Sequence, residues 1–268
     1  MLLRRTSSIL SILSTPSLTS PASRRLYGMI DKRGVVKRVY RNVEYSKGND
    51  GYSVLLDGKP LKTPKGQPLL LPTERLAAVI SQEWAQQEEE IRPHSMHLNS
   101  LAHTAIDNPI SETNEQRVES ILQTLSGDPV CLRISEPEEF FVMQNEKWGP
   151  LLEWFNTLYG VSIKPEIDGF FIDVTEDSLA IVRKKLSRHD KWHLTGLKFG
   201  VDSCRSLIIM SSLLEGVITC EEAVFSSLLE SQFQVRKWGR VEWGHDVEEA
   251  ELWNRLSAAV LFVTAASE

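Results

Sequence analysis

The chain of 268 residues is 41% hydrophobic and 25% charged, enough apolar material for one large or two modest cores, which excludes disorder for most of its length. Its formal charge of −6 at pH 7 argues against nucleic acid as a partner. No run approaches the ~18 apolar residues that a membrane span needs. The three cysteines, Cys131, Cys204 and Cys220, are odd in number and widely spaced. This argues against a disulfide scaffold or a cysteine zinc site, and they read as small core residues of a reducing compartment.

Residues 1–30 hold four arginines, no acid and many serines. Leu and Ile interleave there with Arg and Ser, without the unbroken apolar stretch of a secretory signal, so the segment predicts a mitochondrial transit peptide and matrix import. Arg25-Leu26-Tyr27 has the form of a matrix-processing site, which puts the mature start near Gly28. Losing four positive charges and no acid takes the formal balance from −6 to −10.

From Val35 to Thr73 the pattern is strand and turn. Apolar residues alternate in VVKRVYRNVEY, Gly51–Leu56 is rich in strand formers, and Asp57-Gly58 and Lys65-Gly66 are turn signals. Three to five short strands in an antiparallel sheet are expected. Pro72-Thr73-Glu74 opens a helix whose Leu76, Ala77, Ile80 and Trp84 share the face that covers the sheet. Helices are predicted over His94–Asn108, stopped by Pro109, and over Asn114–Leu125, with a short strand at Cys131–Ile134. Beyond Phe140, the residues Trp148, Leu151, Leu152, Phe155 and Tyr159 form one helical face closed by Gly160. Residues 161–175 read as an extended connecting ribbon. Helices follow over Asp177–Leu186, Trp192–Leu214 and Thr219–Trp238, the last opened by a capping box at Thr219 and Glu222, and then from Asp246 to Val263 with its acids early. The fold class is α+β: residues 28–112 a small N-terminal antiparallel sheet-plus-helix domain, residues 113–268 a C-terminal orthogonal helical bundle, preceded by the transit peptide at 1–27.

Chemistry is sparse. No G-x-x-x-x-G-K-[ST] or G-x-G-x-x-G cradle for phosphates is present, no Ser sits in G-x-S-x-G, and no Cys has a neighbouring His. The sharpest enzyme-like feature is His189-Asp190-Lys191-Trp192-His193, two histidines at zincin spacing with Asp in place of Glu; a metal-dependent hydrolase using His189 and His193 is the alternative reading. Asp190 stands where a helix would begin, so capping accounts for it. His94, His97 and His103 lack a carboxylate or cysteine to complete a ligand set. No catalytic residue, metal, cofactor or small-molecule substrate is expected.

Seven tryptophans are many for this length, and Trp84, Trp238 and Trp243 follow charged residues, a composition common at protein-binding hot spots. Most should be core aromatics. Near the C-terminus, Glu230, Glu242, Asp246, Glu248, Glu249 and Glu251 gather acid beside aromatics, suited to a basic, apolar protein surface.

The blocks DGYSVLLDGKPLKTP, LLLPTERLAAVISQEWAQQEEEI, MHLNSLAHTAIDN and LLESQFQVRKWGRVEWGHDVEEAEL, in order from about Val36 to the C-terminus, resemble the Atp-twelve family of assembly chaperones for the catalytic F(1) sector of mitochondrial ATP synthase. Ala85, His97 and Asn99 depart from the family pattern at what read as helix starts and surfaces. The resemblance implies a chaperone that binds the unassembled α subunit of ATP synthase F(1) before it meets β, shielding a surface that would otherwise aggregate, without catalysing a reaction. Carried over by position, it implies that Glu230 is a direct partner contact and Trp84 is structural. Gln234, Trp238 and Asp246 extend the contact surface.

Overall fold

The computed structural model describes residues 36–241 and 243–267. The expected transit peptide and the processing site near Gly28 lie outside them. The protein is α+β, with small antiparallel sheets in its N-terminal half and helices through the C-terminal half. Five short strands precede the first helix: β1 (Val36–Lys37), β2 (Val43–Lys47), β3 (Tyr52–Leu56), β4 (Lys59–Pro60) and β5 (Leu70–Leu71). β2, β3 and β4 pair antiparallel in that order, and β5 pairs with β3. Asp57 and Gly58 both take positive φ, 48° and 74°, as the two-residue β3–β4 hairpin requires. The Asp57 carboxylate steadies this turn by accepting from the backbone N–H groups of Arg41 and Asn42 at 3.0 and 2.8 Å.

The alternation in VVKRVYRNVEY does not produce one continuous strand. Between β1 and β2 the chain leaves the ladder, Tyr40 turns into the core, and β1 instead pairs antiparallel with β6 (Glu90–Ile91), a partner far along the sequence. Helix α1 (Glu74–Ala85) is capped by Thr73, whose hydroxyl accepts from Leu76 N at 3.1 Å, and it buries Leu76, Ala77, Ile80 and Trp84. The same hydroxyl donates to the carbonyl of Ala265, so one cap ties the start of α1 to the C-terminal end of the described chain.

Helix α2 (His97–Asp107) begins later than the apolar pattern suggests, because Pro93–Ser95 forms a 3-10 turn first. Its own N-cap, Met96, offers no side-chain acceptor. The carboxylate of Glu83 on α1 takes that role, accepting from Leu98 N at 2.9 Å and Asn99 N at 2.8 Å. Burial pushes its pKa up to about 7 against the pull of these two bonds. Glu83→Ala therefore strands two N–H groups and should lower stability by about 2 kcal/mol, while Glu83→Gln keeps one acceptor and loses about half as much. Urea denaturation curves check this, and an unchanged midpoint for the alanine variant would exclude the cap.

Helix α3 (Asn114–Gln123) opens with a capping box of Thr113 and Gln116. After two 3-10 turns, β7 (Leu132–Arg133) pairs in parallel with β8 (Glu166–Ile167), across the long α4 (Glu138–Tyr159) that Gly160 ends at φ 70°. The ribbon expected at 161–175 thus contains a strand. Helix α5 (Glu176–Leu186) is capped by Thr175.

Two expected helices are each broken in two. The run Trp192–Leu214 divides into α6 (Lys191–Cys204) and α7 (Leu207–Leu214), because Arg205 takes a left-handed conformation, φ 57°, and Ser206 caps α7 by accepting from Ile209 N. The run Thr219–Trp238 divides into α8 (Cys220–Ser227), with its capping box at Thr219 and Glu222, and α9 (Leu229–Trp238), where Leu228 falls out of helical geometry at φ −105°, ψ 24°. Helix α10 (His245–Ala266) runs past Val263.

Two apolar cores result. One lies among α3 to α10 around Leu125, Phe155, Leu186, Leu194 and Leu256. The other lies beneath the sheet around Leu71, Leu76, Ile80 and Trp84, and takes Trp192 from α6 and Ala258, Phe262 and Ala265 from α10. The close approach of α6 to its neighbours depends on glycine: a Cβ on Gly196 would meet Val263 Cγ2 at 2.5 Å, and one on Gly200 would meet Met210 Sδ at 2.3 Å.

Candidate functional site: the α9–α10 face

Helix α9 fully buries only Leu229, and Phe233 packs half-buried against Phe140 with ring centroids 5.0 Å apart; polar contacts reinforce this modest apolar anchor. Arg240, in the turn after α9, pairs with Asp246 at 2.6 Å and with Glu249 at 2.6 Å. Gln232 Nε2 donates to the same Glu249 carboxylate at 2.6 Å, and Val241 N donates to His245 Nδ1 at 3.1 Å. Burial would raise the pKa of Glu249, but Arg240 and Gln232 hold it below its ordinary value. The turn between α9 and α10 is therefore latched by one arginine fork across two acids.

This latch keeps large apolar side chains in water. Trp238 is 73% exposed, Val241 64% and Trp243 82%, with Val247 also exposed on the first turn of α10. Glu230 is exposed at the start of α9, and Gln234, one turn later, donates to its Oε1 at 3.2 Å. Glu230 and Gln234 line a cleft of about 600 Å³ together with Arg205, Glu248, Glu251 and Arg255. A second cleft of about 1020 Å³ lies along α10, lined by His94, His97, Trp243, Asp246, Val247 and Asn254, and shares Glu251 and Arg255 with the first. Those two shared residues pair at 2.5 Å.

Of the residues expected at a partner surface, Glu230 and Gln234 therefore share one cleft and Asp246 lies on the next. Trp238 stands exposed on the same hairpin but lines neither. The acids do not form one uninterrupted face. Glu230, Glu248 and Glu251 face the first cleft, whereas Asp246 and Glu249 are turned onto Arg240. Glu242 lies outside the described residues. Arg205, Arg240 and Arg255 interleave with the acids, and the sequence pattern alone gave them no role. Arg240 was detectable as the only cation between Trp238 and the acid run.

Trp84 lies apart from this face, in the sheet core and 5% exposed. Its Nε1–H donates to Asn99 Oδ1 at 3.1 Å, and its carbonyl accepts from the Tyr40 hydroxyl at 2.8 Å. Burial pushes that hydroxyl's pKa up to about 12. Asn99, one of three positions read from sequence as helix starts and surfaces, lies in the first turn of α2 and is buried as the acceptor for the tryptophan. Cys131 and Cys204 are core residues, but Cys220 is only half-buried, since it opens α8.

The His189–His193 motif forms no metal centre. Asp190 caps α6, accepting from His193 N at 2.8 Å, and the two imidazoles stack on each other with centroids 3.7 Å apart. Burial, with His189 beside it, pushes His193 down to about 4. Among the described residues, no group of three or more His, Cys, Asp or Glu is placed to hold a metal ion. The hydrolase alternative therefore has no supporting arrangement. Nor is any described helix long and apolar enough to cross a membrane.

Residues 37–156, from the N-terminal strands into α4, match the family model for the ATP12 chaperone protein. The mitochondrial protein atp12 of Schizosaccharomyces pombe is 28% identical, with 84% of this chain and 81% of that protein covered. The mitochondrial ATP12 of Saccharomyces cerevisiae is 26% identical, covering 84% and 82%. The crystal structure of Atp12 from Paracoccus denitrificans superposes with a TM-score of 0.78 at 28% identity, covering 86% of this chain and 98% of that one. A family match over residues 37–156, two relatives matched over most of their lengths and a shared three-dimensional fold agree with the resemblance seen in the sequence blocks: the chain is similar in sequence and in fold to the ATP12 chaperone proteins.

Proposed function

We propose that the chain is an assembly chaperone for the F(1) sector of ATP synthase in the mitochondrial matrix. It holds the unassembled α subunit through the α9–α10 face until that subunit meets β, and it works by binding, without turnover of a substrate. The observation that carries this reading is the latched hairpin that keeps Trp238, Val241 and Trp243 in water beside a cleft lined by Glu230. Rigid exposed aromatics next to charge make good anchors for a partner, because little side-chain freedom is lost when they are covered. A client surface that would aggregate alone is kept soluble by mass action while the chaperone is bound.

A tagged form of the chain should capture free ATP synthase α subunit from matrix extract, identified by mass spectrometry, and should not retain the finished complex. Glu230→Lys replaces an exposed acid and leaves the fold and melting temperature unchanged. It should weaken α-subunit capture about tenfold, the ~1.4 kcal/mol of one charge contact of intermediate strength. Capture that persists at full strength would remove Glu230 from the contact surface. Failure of the folded wild-type chain to capture any α subunit would overturn the client assignment.

A further inference from the structure

A second apolar patch is built on β7, β8 and the loop that follows. Phe170 and Phe171 are 87% and 75% exposed, and Ile134 and Ile167 beside them are also in water. A free loop would turn such side chains inward, but this one is pinned at both ends. At its start, Asp168 N donates to Arg133 O at 2.8 Å, while the Asp168 carboxylate accepts from Ser135 N at 2.9 Å and Ser135 Oγ at 2.6 Å. This clamp holds Asp168 at φ 56°. At its end, Ile172 N donates to Ser126 O at 2.9 Å and the Ile172 side chain is buried. Between the pins, Gly169 lets the chain pass close under Glu166, whose Cγ would lie 2.4 Å from any Cβ there. The two phenylalanines are thus presented on a fixed platform.

The rim of this platform is acidic. Glu136, Glu138 and Glu139 follow Ser135 in the chain, Glu166 and Asp173 flank the loop, and all five are exposed; among the described residues of these two segments, 134–140 and 164–173, Lys164 is the only cation. Such a rim repels anionic lipid surfaces and nucleic acid, and it complements lysine and arginine. An exposed apolar centre with a rim of one sign marks a protein contact. We propose that the Phe170–Phe171 loop is a docking surface for a cationic, apolar segment of polypeptide. Apolar side chains of that segment cover the two rings, and its basic residues meet the acids around them. The surface stands on elements different from the α9–α10 face and does not depend on which client that face holds.

The test uses the full chain and a fluorescein-labelled synthetic peptide of leucines and lysines in amphipathic helical order, followed by fluorescence anisotropy. The peptide should bind in the micromolar range and weaken as salt rises. The Phe170→Ser/Phe171→Ser double variant, whose rings support no core, should melt like wild type and raise Kd at least tenfold. Glu138→Lys combined with Asp173→Lys should raise Kd by a similar factor, while Glu230→Lys should bind as wild type. No binding by the wild-type chain, an unchanged Kd in the double phenylalanine variant, equal binding of a leucine–glutamate peptide, or a loss confined to Glu230→Lys would each overturn the proposal.

Discussion

Trp84→Arg should destabilise the protein by about 5 kcal/mol, enough to move most of the variant into the insoluble fraction at physiological temperature. The indole sits at 5% exposure against the T-shaped ring of Tyr40, 5.8 Å away, and beneath the sheet. Removing it loses the burial of a large aromatic, worth ~3–5 kcal/mol with its cavity term. It also strands the buried Asn99 Oδ1 that accepts its Nε1–H, and puts an unpaired guanidinium among Leu76, Ile80 and Leu101. Against a total stability of ~5–15 kcal/mol for a typical domain, a loss of this size leaves little. Trp84→Phe separates the charge from the rest, since it keeps an aromatic ring but loses the hydrogen bond and the packing of the indole's second ring, and should cost ~2–3 kcal/mol. Thermal melts of the two variants, with α-subunit capture measured on the soluble phenylalanine protein, check both figures. A normal melt for Trp84→Arg would show that the tryptophan is not core.

What could be read from the sequence divides according to the range of the interaction. Local grammar was legible: Asp57-Gly58 as a hairpin turn, Thr73 and Thr219 as caps, Gly160 as a helix stop, and the apolar face of α1. Long-range pairing was not. Nothing near Val36 announces that β1 will pair with Glu90–Ile91, and Glu83 looks like an exposed acid of α1 until α2 brings two N–H groups to it. The breaks at Arg205 and Leu228 were hidden because the apolar period continues on both sides. Only the cap-forming Ser206 marks the first, and it is a common residue inside helices as well. The candidate surface shows the same split. Glu230 and Gln234, one turn apart, could be placed together from spacing, but the Arg240 latch that separates Asp246 and Glu249 from the other acids needs the folded turn. Phe170 and Phe171 read as part of a connecting ribbon, since nothing local shows that Ser135 and Ser126 pin the chain around them.

The second large effect is expected at Asp128, the acid buried where α7 meets the turns after α3. Its Oδ1 accepts from the Ser206 hydroxyl at 2.7 Å and from Val130 N at 3.0 Å, and its Oδ2 accepts from Ile208 N at 3.2 Å, so one carboxylate organises both the 3-10 turn at Pro129–Cys131 and the N-terminus of α7. Burial raises its pKa to about 6, and the bonds from Ser206 and the backbone only partly offset this. Asp128→Ala strands three buried donors and should cost about 3 kcal/mol even after the carboxylate's desolvation is relieved; Asp128→Asn keeps one acceptor oxygen and should cost ~1–2 kcal/mol. The pH dependence has a definite sign. The folded pKa lies above the unfolded value of about 4, so between these pH values the native state binds a proton that the unfolded chain has already lost. The group's contribution to stability therefore falls as pH rises from about 4 to about 6, and is steady above that. Urea unfolding across this window should show the slope in the wild type and its absence in both variants, after subtraction of the remaining carboxylates common to all three proteins. A wild-type and Asp128→Ala difference that stays constant from pH 4 to 7 would mean that the carboxylate titrates alike in the folded and unfolded chains, and would exclude burial as the force acting on it.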